Sequence, residues 1–392
     1  MKVLHTIAGV QVDHGGTSRS VPATINALAD QGCDVHLLTA IPADPSCTSS
    51  FPRDRERLTT ISESAWTGRC FVGRQFELQL AKLVQAPGLT ILHDHGLWLP
   101  SNRAVGRYAN RLHIARIVSP RGMLGDWSVR HHAWRKWLAW KLFQRRALAT
   151  ADAFHATSQQ EAEEIRRCGF TQPIVVVPNG IDVPAQLPAR RTSEAPRQAL
   201  FLSRLHPKKG LLSLVQAWKE AASASPAASW RLVIAGPDEG GHRAEVGQEI
   251  ERLGLGNQIE LLGPLSDSDK WQWYVDSDLF ILPSFNENFG IVIAEALAAG
   301  LPVLTTTGTP WAVLSQQEYG WWVEPSLPAL SQALRQAFSL PAEQLQAMGK
   351  RGQAYAMQNF SWVRAAEQLL GFYKQVLIRK HAAPLRPESP LN

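Results

Sequence analysis

Residues 286–295 read NENFGIVIAE and place two glutamates, Glu287 and Glu295, eight positions apart around the predicted start of a helix. A buried-strand pattern, DLFILPS, precedes them at 278–284. The helical pattern ends at Gly300, and the next strand begins at Pro302. A strand, a helix and a second strand in this order are typical of a parallel α/β sheet.

The spacing of the two glutamates predicts a ligand with hydroxyl groups at both ends. Eight helical residues rise about 12 Å, roughly the reach from the ribose of a nucleotide, across a diphosphate, to an attached sugar. The free N–H groups and the dipole of a helix N-terminus can hold phosphates, while carboxylates accept hydrogen bonds from hydroxyls. The pair therefore indicates a nucleotide-diphosphate sugar.

The chain is 392 residues long, which fits two domains. Strand and helix patterns alternate through both halves, and a segment rich in Pro, Ala and Arg at 185–197 reads as a linker. We predict two doubly wound, Rossmann-like α/β domains, 1–184 and 198–359, with a cleft between them. Strands are expected near 2–8, 34–40, 89–95, 114–119, 152–158 and 174–180, and near 198–204, 230–236, 258–263, 278–284, 302–307 and 320–324.

The composition suits a soluble globular protein, with 45% apolar and 19% charged residues. No run of 18 uncharged apolar residues occurs, so no membrane-spanning helix is expected. The first residues read as a strand and not as a secretion signal. Four scattered cysteines without metal-type spacing favour a reducing cytosol.

Two cations of the segment LFLSRLHPKKG at 200–210 are candidates for binding the diphosphate. Arg204 and Lys209 follow a predicted strand and precede a helix. Cations at this position stabilise the negative charge that grows on a departing diphosphate, and Arg can bind two of its oxygens. The alternative is surface charge at a helix start, where cations are slightly unfavourable.

Weaker signals come from a histidine, a glycine pair and two aspartate triplets. His95 ends a strand of the first half and is expected to face the cleft, while Gly15 and Gly16 form a loop that could approach phosphates. The triplets Asp267-Ser268-Asp269 and Asp276-Ser277-Asp278 could hold a divalent metal, but they read better as helix-end residues. No metal is expected, because Arg204 and Lys209 would serve in its place.

The segment from Arg103 to Arg146 carries eleven Lys or Arg residues and one acidic residue, Asp126. Tryptophans lie among these cations, at Trp127, Trp134, Trp137 and Trp140. This composition favours either an anionic partner, such as a membrane surface, or a solvated helix face. Nucleic acid is not expected, because no recognition motif accompanies the charge.

Taken together, these motifs resemble the retaining family-4 glycosyltransferases of GT-B fold. The likeness rests on R-x4-K-G at 204–210, E-x7-E at 287–295, Gly15-Gly16, His95 and VPNGID at 177–182. The segment SPRGML at 119–124 looks like members that build bacterial exopolysaccharide or O-antigen. The resemblance implies that a last helix within 360–392 returns to the first domain.

The resemblance also implies roles for individual residues. Glu295 would bind the ribose hydroxyls, Glu287 the hydroxyls of the donor sugar, and Arg204 and Lys209 the diphosphate. His95 would contact the donor sugar near the reacting carbon, with His95, Glu287, Arg204 and Lys209 forming the catalytic set. The remaining donor contacts would come from Gly15, Gly16, Gly236, Leu262, Gly263, Asn288, Phe289, Gly290 and Ile291.

We therefore expect a cytoplasmic, membrane-peripheral, metal-independent hexosyltransferase. It would use a nucleotide-diphosphate sugar, with UDP favoured, and a saccharide or lipid-linked saccharide acceptor in bacterial polysaccharide synthesis. Two alternatives remain open: a sugar-nucleotide epimerase of the same fold, and a non-catalytic protein that binds an anionic surface.

Overall fold

The computed structural model describes residues 1–11, 16–42, 49–63, 72–125, 133–191, 196–224 and 230–382. The chain forms two compact units. The first comprises Met1–Gly180 together with Trp362–Asn392, and the second comprises Ile181–Ser361.

The first unit is built on a parallel sheet of seven strands in the order β3-β2-β1-β4-β5-β6-β7. The strands are β1 (Lys2–Ile7), β2 (Asp34–Pro42), β3 (Leu58–Glu63), β4 (Leu89–His95), β5 (Ala115–Ser119), β6 (Ala153–Ala156) and β7 (Ile174–Val176). The helices are α1 (Gly16–Asp30), α2 (Val72–Leu83), α3 (Pro100–Arg111), α4 (Ala133–Ala139), α5 (Arg145–Ala149), α6 (Gln159–Arg167) and, from the C-terminus, α14 (Trp362–Ala382). A π-helical turn, Trp140–Gln144, joins α4 to α5.

The second unit has a parallel sheet of six strands in the order β10-β9-β8-β11-β12-β13. They are β8 (Arg197–Leu202), β9 (Trp230–Ala235), β10 (Ile259–Leu261), β11 (Leu279–Leu282), β12 (Val303–Thr306) and β13 (Gly320–Val323). The helices are α7 (Leu211–Ala224), α8 (His242–Arg252), α9 (Asp269–Asp276), α10 (Ile291–Ala298), α11 (Val313–Gln316), α12 (Leu327–Ser339) and α13 (Ala342–Asn359).

Both sheets reverse their strand order once, between β1 and β4 and between β8 and β11. The central strands are buried on both faces; all four residues of β11 are inaccessible to solvent, for example. Such continuous apolar strands require helices on both sides of the sheet. The predicted doubly wound α/β architecture is therefore confirmed. In sheets of this type, ligands bind beyond the carboxyl ends of the strands where the order reverses.

All twelve predicted strands are present, and among the described residues the prediction missed one strand, β3. This edge strand reads LTTISE, and in it only Leu58 and Ile61 are aliphatic. Edge strands bury less of their surface, so their apolar signal is weak.

The described residues of the segment 185–197, which was expected to be a linker, lie within the second unit. Arg190 forms an ion pair with Asp278 (2.6 Å), and the backbone N–H of Arg191 donates to Asp276 (2.8 Å). The C-terminal helix α14 lies in the first unit, where it packs against α1. Within the described ranges, every helix is too short or too polar to span a lipid bilayer.

Candidate functional site

The strongest cluster of predicted site residues lies where the second sheet reverses, between β8 and β11. After β8 the chain turns through Arg204 into a short 3-10 turn, Pro207–Lys209, and ends it at Gly210 with φ of 71°. A Cβ at Gly210 would lie 2.2 Å from the carbonyl oxygen of Pro283, so only glycine fits there. The β8 loop is thereby held against the end of β11.

Lys209 and Glu287 meet at this position and form an ion pair in which both side chains are largely buried. Ser284 donates a further hydrogen bond to Glu287 (2.7 Å). Burial alone would raise the pKa of Glu287, but Lys209 and Lys208 lower it below its usual value, with help from the two hydrogen bonds. Glu287 is therefore a carboxylate and a poor proton donor.

Helix α10 begins directly after this ion pair. Its N-cap, Gly290, has φ of 78°, and its first residue is Ile291. Phe289 is buried, and its carbonyl accepts a hydrogen bond from the indole of Trp311 (2.5 Å). Asn288 lies in the same turn. The predicted positions of Glu287 before the helix and Glu295 within it are confirmed.

The predicted span between the two glutamates needs correction. Only the residues from Ile291 onward are helical, so half of the interval from Glu287 to Glu295 is a turn. The rise of about 12 Å for eight helical residues therefore does not apply to this interval.

Glu295 is buried and already has two partners. Lys270 donates to one carboxylate oxygen (2.8 Å) and Tyr274 to the other (3.0 Å). Burial and the neighbouring Glu295 raise the pKa of Tyr274 well above 10, so its hydroxyl stays a donor. Sequence reasoning missed both partners, although their spacing of four residues puts them on one face of α9.

Arg204 lies in the same loop but pairs with Glu239 (2.7 Å), in the loop after β9. The two loops are also joined through the backbone, because the N–H of Glu239 donates to the carbonyl of Leu205 (3.1 Å). Both side chains of this ion pair are more than a third exposed, whereas Lys209 and Glu287 are nearly enclosed. Arg204 can therefore exchange its partner more easily than Lys209.

The predicted backbone contacts lie along the same edge of the sheet. Gly236 has φ of 142°, and a Cβ there would lie 1.8 Å from the carbonyl oxygen of Ser203. The N–H of Gly236 donates to Gly263 (3.1 Å), and Leu262 accepts from the guanidinium of Arg243 (2.6 Å). The loops after β8, β9 and β10 are thus held together by main-chain contacts.

The remaining predicted residues belong to the first unit. His95 ends β4 and is buried; its Nε2 lies 2.9 Å from Nδ1 of His5, and its Nδ1 lies 3.2 Å from Nη2 of Arg121. Its predicted contact with the donor sugar stays a prediction. Gly16 is exposed at the start of α1, and Gly15 lies outside the described residues.

The two aspartate triplets make structural contacts. Asp276 and Asp278 bind the backbone N–H groups of Arg191 and Gln198. Asp269 accepts from Ser266 (2.6 Å) at the start of α9, and Asp267 lies 3.4 Å from Lys270. These contacts agree with the helix-end interpretation of both triplets.

Three histidines, His5, His93 and His95, come close enough together to hold a metal ion. The ring nitrogens of all three nevertheless make hydrogen bonds to neighbouring side chains. We therefore interpret the three rings as parts of a hydrogen-bonded network.

Two family models match the chain and together span most of both units. The model "Glycosyl transferase 4-like domain" matches residues 15–180, and "Glycosyl transferases group 1" matches residues 183–355.

Curated relatives are similar over part of their length. The D-inositol 3-phosphate glycosyltransferase of Segniliparus rotundus is 31% identical over 253 residues, which cover 61% of this chain and 56% of the relative. The protein of the same name from Corynebacterium glutamicum is 29% identical over 265 residues, covering 62% of this chain and 61% of the relative. The chain thus spans less than two thirds of the length of these relatives.

Solved structures share the fold over nearly the whole chain. Sucrose-phosphate synthase from Thermosynechococcus elongatus superimposes with a TM-score of 0.76 at 18% identity, covering 97% of this chain and 100% of the other. Anabaena HepE in complex with UDP and glucose superimposes with a TM-score of 0.70 at 18% identity, covering 96% of this chain and 100% of the other. WaaG, a glycosyltransferase involved in lipopolysaccharide biosynthesis, superimposes with a TM-score of 0.69 at 17% identity, covering 95% of this chain and 99% of the other.

Proposed function

The chain belongs to the family-4 glycosyltransferases of GT-B fold, and we propose that it transfers a hexosyl unit from a nucleotide-diphosphate sugar, with UDP favoured. One observation carries the proposal. Lys209 and Glu287 form a nearly enclosed ion pair at the point where the second sheet reverses, directly before the N-terminus of α10. This places a cation, a carboxylate and helix N–H groups where such sheets bind nucleotides.

The roles that we propose for these residues are those that the family resemblance implies, and the charges at the site support them. Lys209, and Arg204 once released from Glu239, stabilise the charge that develops on the diphosphate as its bond to the sugar breaks. Glu287, which is ionised, accepts hydrogen bonds from hydroxyls of the donor sugar. Glu295 has oxygen lone pairs left beside those used by Lys270 and Tyr274, and it binds the ribose hydroxyls.

We further propose that transfer retains the configuration of the sugar and needs no metal. The acceptor oxygen forms its bond to the anomeric carbon on the face that the diphosphate leaves. The bond from that carbon to the phosphate oxygen breaks, and the departing oxygen takes the proton of the acceptor hydroxyl. The ion pair with Lys209 and the hydrogen bond from Ser284 support this route, because they lower the basicity of the Glu287 carboxylate and so weaken it as a base or as a nucleophile for a two-step displacement.

The acceptor in this proposal is a saccharide or a lipid-linked saccharide of bacterial polysaccharide synthesis. The segment SPRGML at 119–124 supports it. The names of the curated relatives favour a different acceptor, a phosphorylated inositol. Both acceptors carry free hydroxyls, so the same donor site serves either.

The experiment is a transfer assay with UDP- and GDP-hexoses against both acceptor classes, followed by NMR of the product. We expect one hexosyl unit in the product, with the anomeric configuration of the donor, in the presence of a metal chelator. An inverted product would contradict retention, and dependence on added metal would contradict the metal-independent route. The same mixture without acceptor tests the epimerase alternative, which predicts an epimerised sugar nucleotide.

We also propose that helices α4 and α5 contact an anionic membrane surface. Trp134, Trp137 and Leu142 are 68%, 58% and 63% exposed, and Leu138 is exposed beside them. The cations Lys141, Arg145 and Arg146 are exposed on the same segment, which has no acidic residue from 133 to 149. Apolar side chains rimmed by cations suit the interface of an anionic bilayer.

A further inference from the structure

Four buried histidines of the first unit lie on one continuous line of hydrogen bonds across the sheet. The line contains, in order, Arg121, His95, His5, Tyr373, His93, Ser119, His155 and the carbonyl of Val177. We call it the hydrogen-bond chain. It joins β1, β4, β5 and β6 to α14, which contributes Tyr373.

The carbonyl end determines the direction of the first bonds. The oxygen of Val177 can only accept, so Nε2 of His155 carries the proton (3.0 Å). Nδ1 of the neutral ring then carries no proton (we call such a nitrogen bare), and it accepts a hydrogen bond from the hydroxyl of Ser119 (2.9 Å). Since this uses the only proton of the hydroxyl, Ser119 must accept from Nε2 of His93 (2.8 Å).

The same reasoning continues to the arginine. Nδ1 of His93 is bare and accepts from the hydroxyl of Tyr373 (2.6 Å), whose oxygen accepts from Nε2 of His5 (3.3 Å). Nδ1 of His5 accepts from Nε2 of His95 (2.9 Å). Nδ1 of His95 is then bare and faces the guanidinium of Arg121.

Arg121 confirms this direction independently, because a guanidinium can only donate. Its Nε and Nη2 lie 3.3 and 3.2 Å from Nδ1 of His95, and its Nη1 donates to the side chain of Asn179 (3.0 Å). The two ends of the hydrogen-bond chain thus require the same arrangement of protons. All four histidines are neutral with the proton on Nε2.

Any other protonation state would break the hydrogen-bond chain. A second proton on His95 would point at Arg121, and a proton moved from Nε2 to Nδ1 would leave two donors facing each other. Burial, followed by the charge of Arg121, lowers the pKa of His5 and His155 to about 3. The pKa values of His93 and His95 also lie well below 6.5, chiefly because of burial.

We propose that the hydrogen-bond chain locks His95 in one orientation and one tautomer, and that Arg121 and Tyr373 are positioning residues for transfer. The part concerning transfer rests on the proposed function. A sugar hydroxyl that reaches His95 meets a bare Nδ1, so it must donate its proton there in place of Arg121. His95 thus selects a hydroxyl donor and takes no part in acid or base chemistry.

The first test is NMR of the histidine rings in the 15N-labelled full-length protein at pH 7, with each ring assigned by a single His→Gln variant. We expect His5, His93, His95 and His155 as neutral rings protonated on Nε2. A ring protonated on Nδ1, or on both nitrogens, would overturn the hydrogen-bond chain. The NMR spectrum reports the protonation of the rings without any enzyme activity. It therefore tests the hydrogen-bond chain even if the protein does not catalyse the proposed transfer.

The second test uses Tyr373→Phe, which removes the link between His93 and His5 but keeps the aromatic ring. We expect altered ring signals of both histidines and a fall in kcat of about tenfold or more, because small displacements in a site are costly, with an unchanged donor KM. Tyr108→Phe, at a half-buried tyrosine of the same unit, is the matched control and should leave both readouts unchanged. A Tyr373→Phe enzyme with wild-type kcat would overturn the positioning role.

Discussion

For single residues, the four charged side chains predicted for the donor site already have partners of opposite charge, in three ion pairs. The pairs are Lys209 with Glu287, Arg204 with Glu239, and Glu295 with Lys270. The charges are thereby balanced before a donor binds, which limits the cost of holding them partly buried. A diphosphate must compete with one of these internal carboxylates, and Glu239 is the most exposed of the three.

Replacing Glu239 by Gln should strengthen the binding of UDP. The change frees Arg204 for the diphosphate, and an exposed ion pair of this kind is worth up to about 1 kcal/mol, or about fivefold in Kd. Isothermal titration with UDP measures the effect. Glu245→Gln, at another exposed carboxylate of the same unit, is the matched control. Weaker binding by the Glu239 variant would show that Glu239 itself contacts the donor.

Substitutions of the two glutamates in the 286–295 motif should affect different kinetic constants. Glu287→Gln should lower kcat, because a neutral amide no longer balances Lys209 or accepts the same hydrogen bonds from the sugar. Glu295→Gln should raise the donor KM about tenfold with little change in kcat, because charged hydrogen bonds to ribose are worth about 1.5 kcal/mol or more.

Steady-state kinetics with saturating acceptor separates these two effects. Glutamine is preferable to alanine at Glu295, because its amide oxygen can still accept a hydrogen bond from Lys270 or Tyr274, whereas alanine leaves both donors without an acceptor. Glu260→Gln, at an exposed residue of β10, serves as the control. Equal losses of kcat in both variants would contradict the division of roles between sugar and ribose.

At the scale of elements, the buried histidines make the strands of the first unit sensitive to acid. The folded-state pKa values of His5 and His155 are about 3, below the value of 6.5 for an unfolded histidine. Below pH 6.5, His5 and His155 bind protons in the unfolded chain but stay neutral in the folded protein until the pH approaches 3. The stability contributed by these rings is therefore full above pH 6.5 and is lost as the pH falls towards 3.

Between pH 7 and 5, each of these two histidines should reduce the free energy of unfolding by about 2 kcal/mol. Hydrogen exchange of the β1 and β4 amides at the two pH values measures this loss. The amides of β8 and β11, in the second unit, provide an internal control. Equal protection of β1 at pH 7 and pH 5 would contradict the neutral, buried state of the rings.

The sequence predicted the elements better than the contacts between them. An apolar run such as 279–282 is enough to predict a strand. In β3 only Leu58 and Ile61 are aliphatic, and this strand was not predicted. Lys209 and Glu287 were identified from their motifs. The partners Glu239, of Arg204, and Lys270, of Glu295, come from another loop and another helix. Which loops approach one another depends on the packed sheet, and spacing along the chain does not reveal it.

The same limit applies to Arg121. Its motif was noted only for its family likeness, and its contact with His95 joins residues 26 positions apart. His95 ends β4 and Arg121 follows β5, and the carboxyl ends of these neighbouring parallel strands lie side by side. This adjacency was the available signal, since residues at the ends of paired parallel strands are expected to meet.

At the scale of the whole molecule, the exposed tryptophans of α4 should anchor the protein to anionic vesicles. Trp134→Ser combined with Trp137→Ser should reduce co-sedimentation with vesicles that contain phosphatidylglycerol, because it removes most of the apolar contact area. Ile378→Ser, at a residue of α14 that is 69% exposed, is the matched control. Equal binding to neutral and anionic vesicles would contradict the role of the cations.

Lys209 is the residue through which we expect the second unit to bind a nucleotide diphosphate. Thermal unfolding with and without UDP tests this binding most directly, because a ligand bound only by the folded state raises the melting temperature. We predict that UDP and its sugars raise the Tm of the wild-type protein and that Lys209→Ala abolishes most of this shift. A wild-type Tm that does not respond to UDP or GDP sugars, or a full shift in the Lys209→Ala variant, would show that Lys209 does not hold a nucleotide diphosphate.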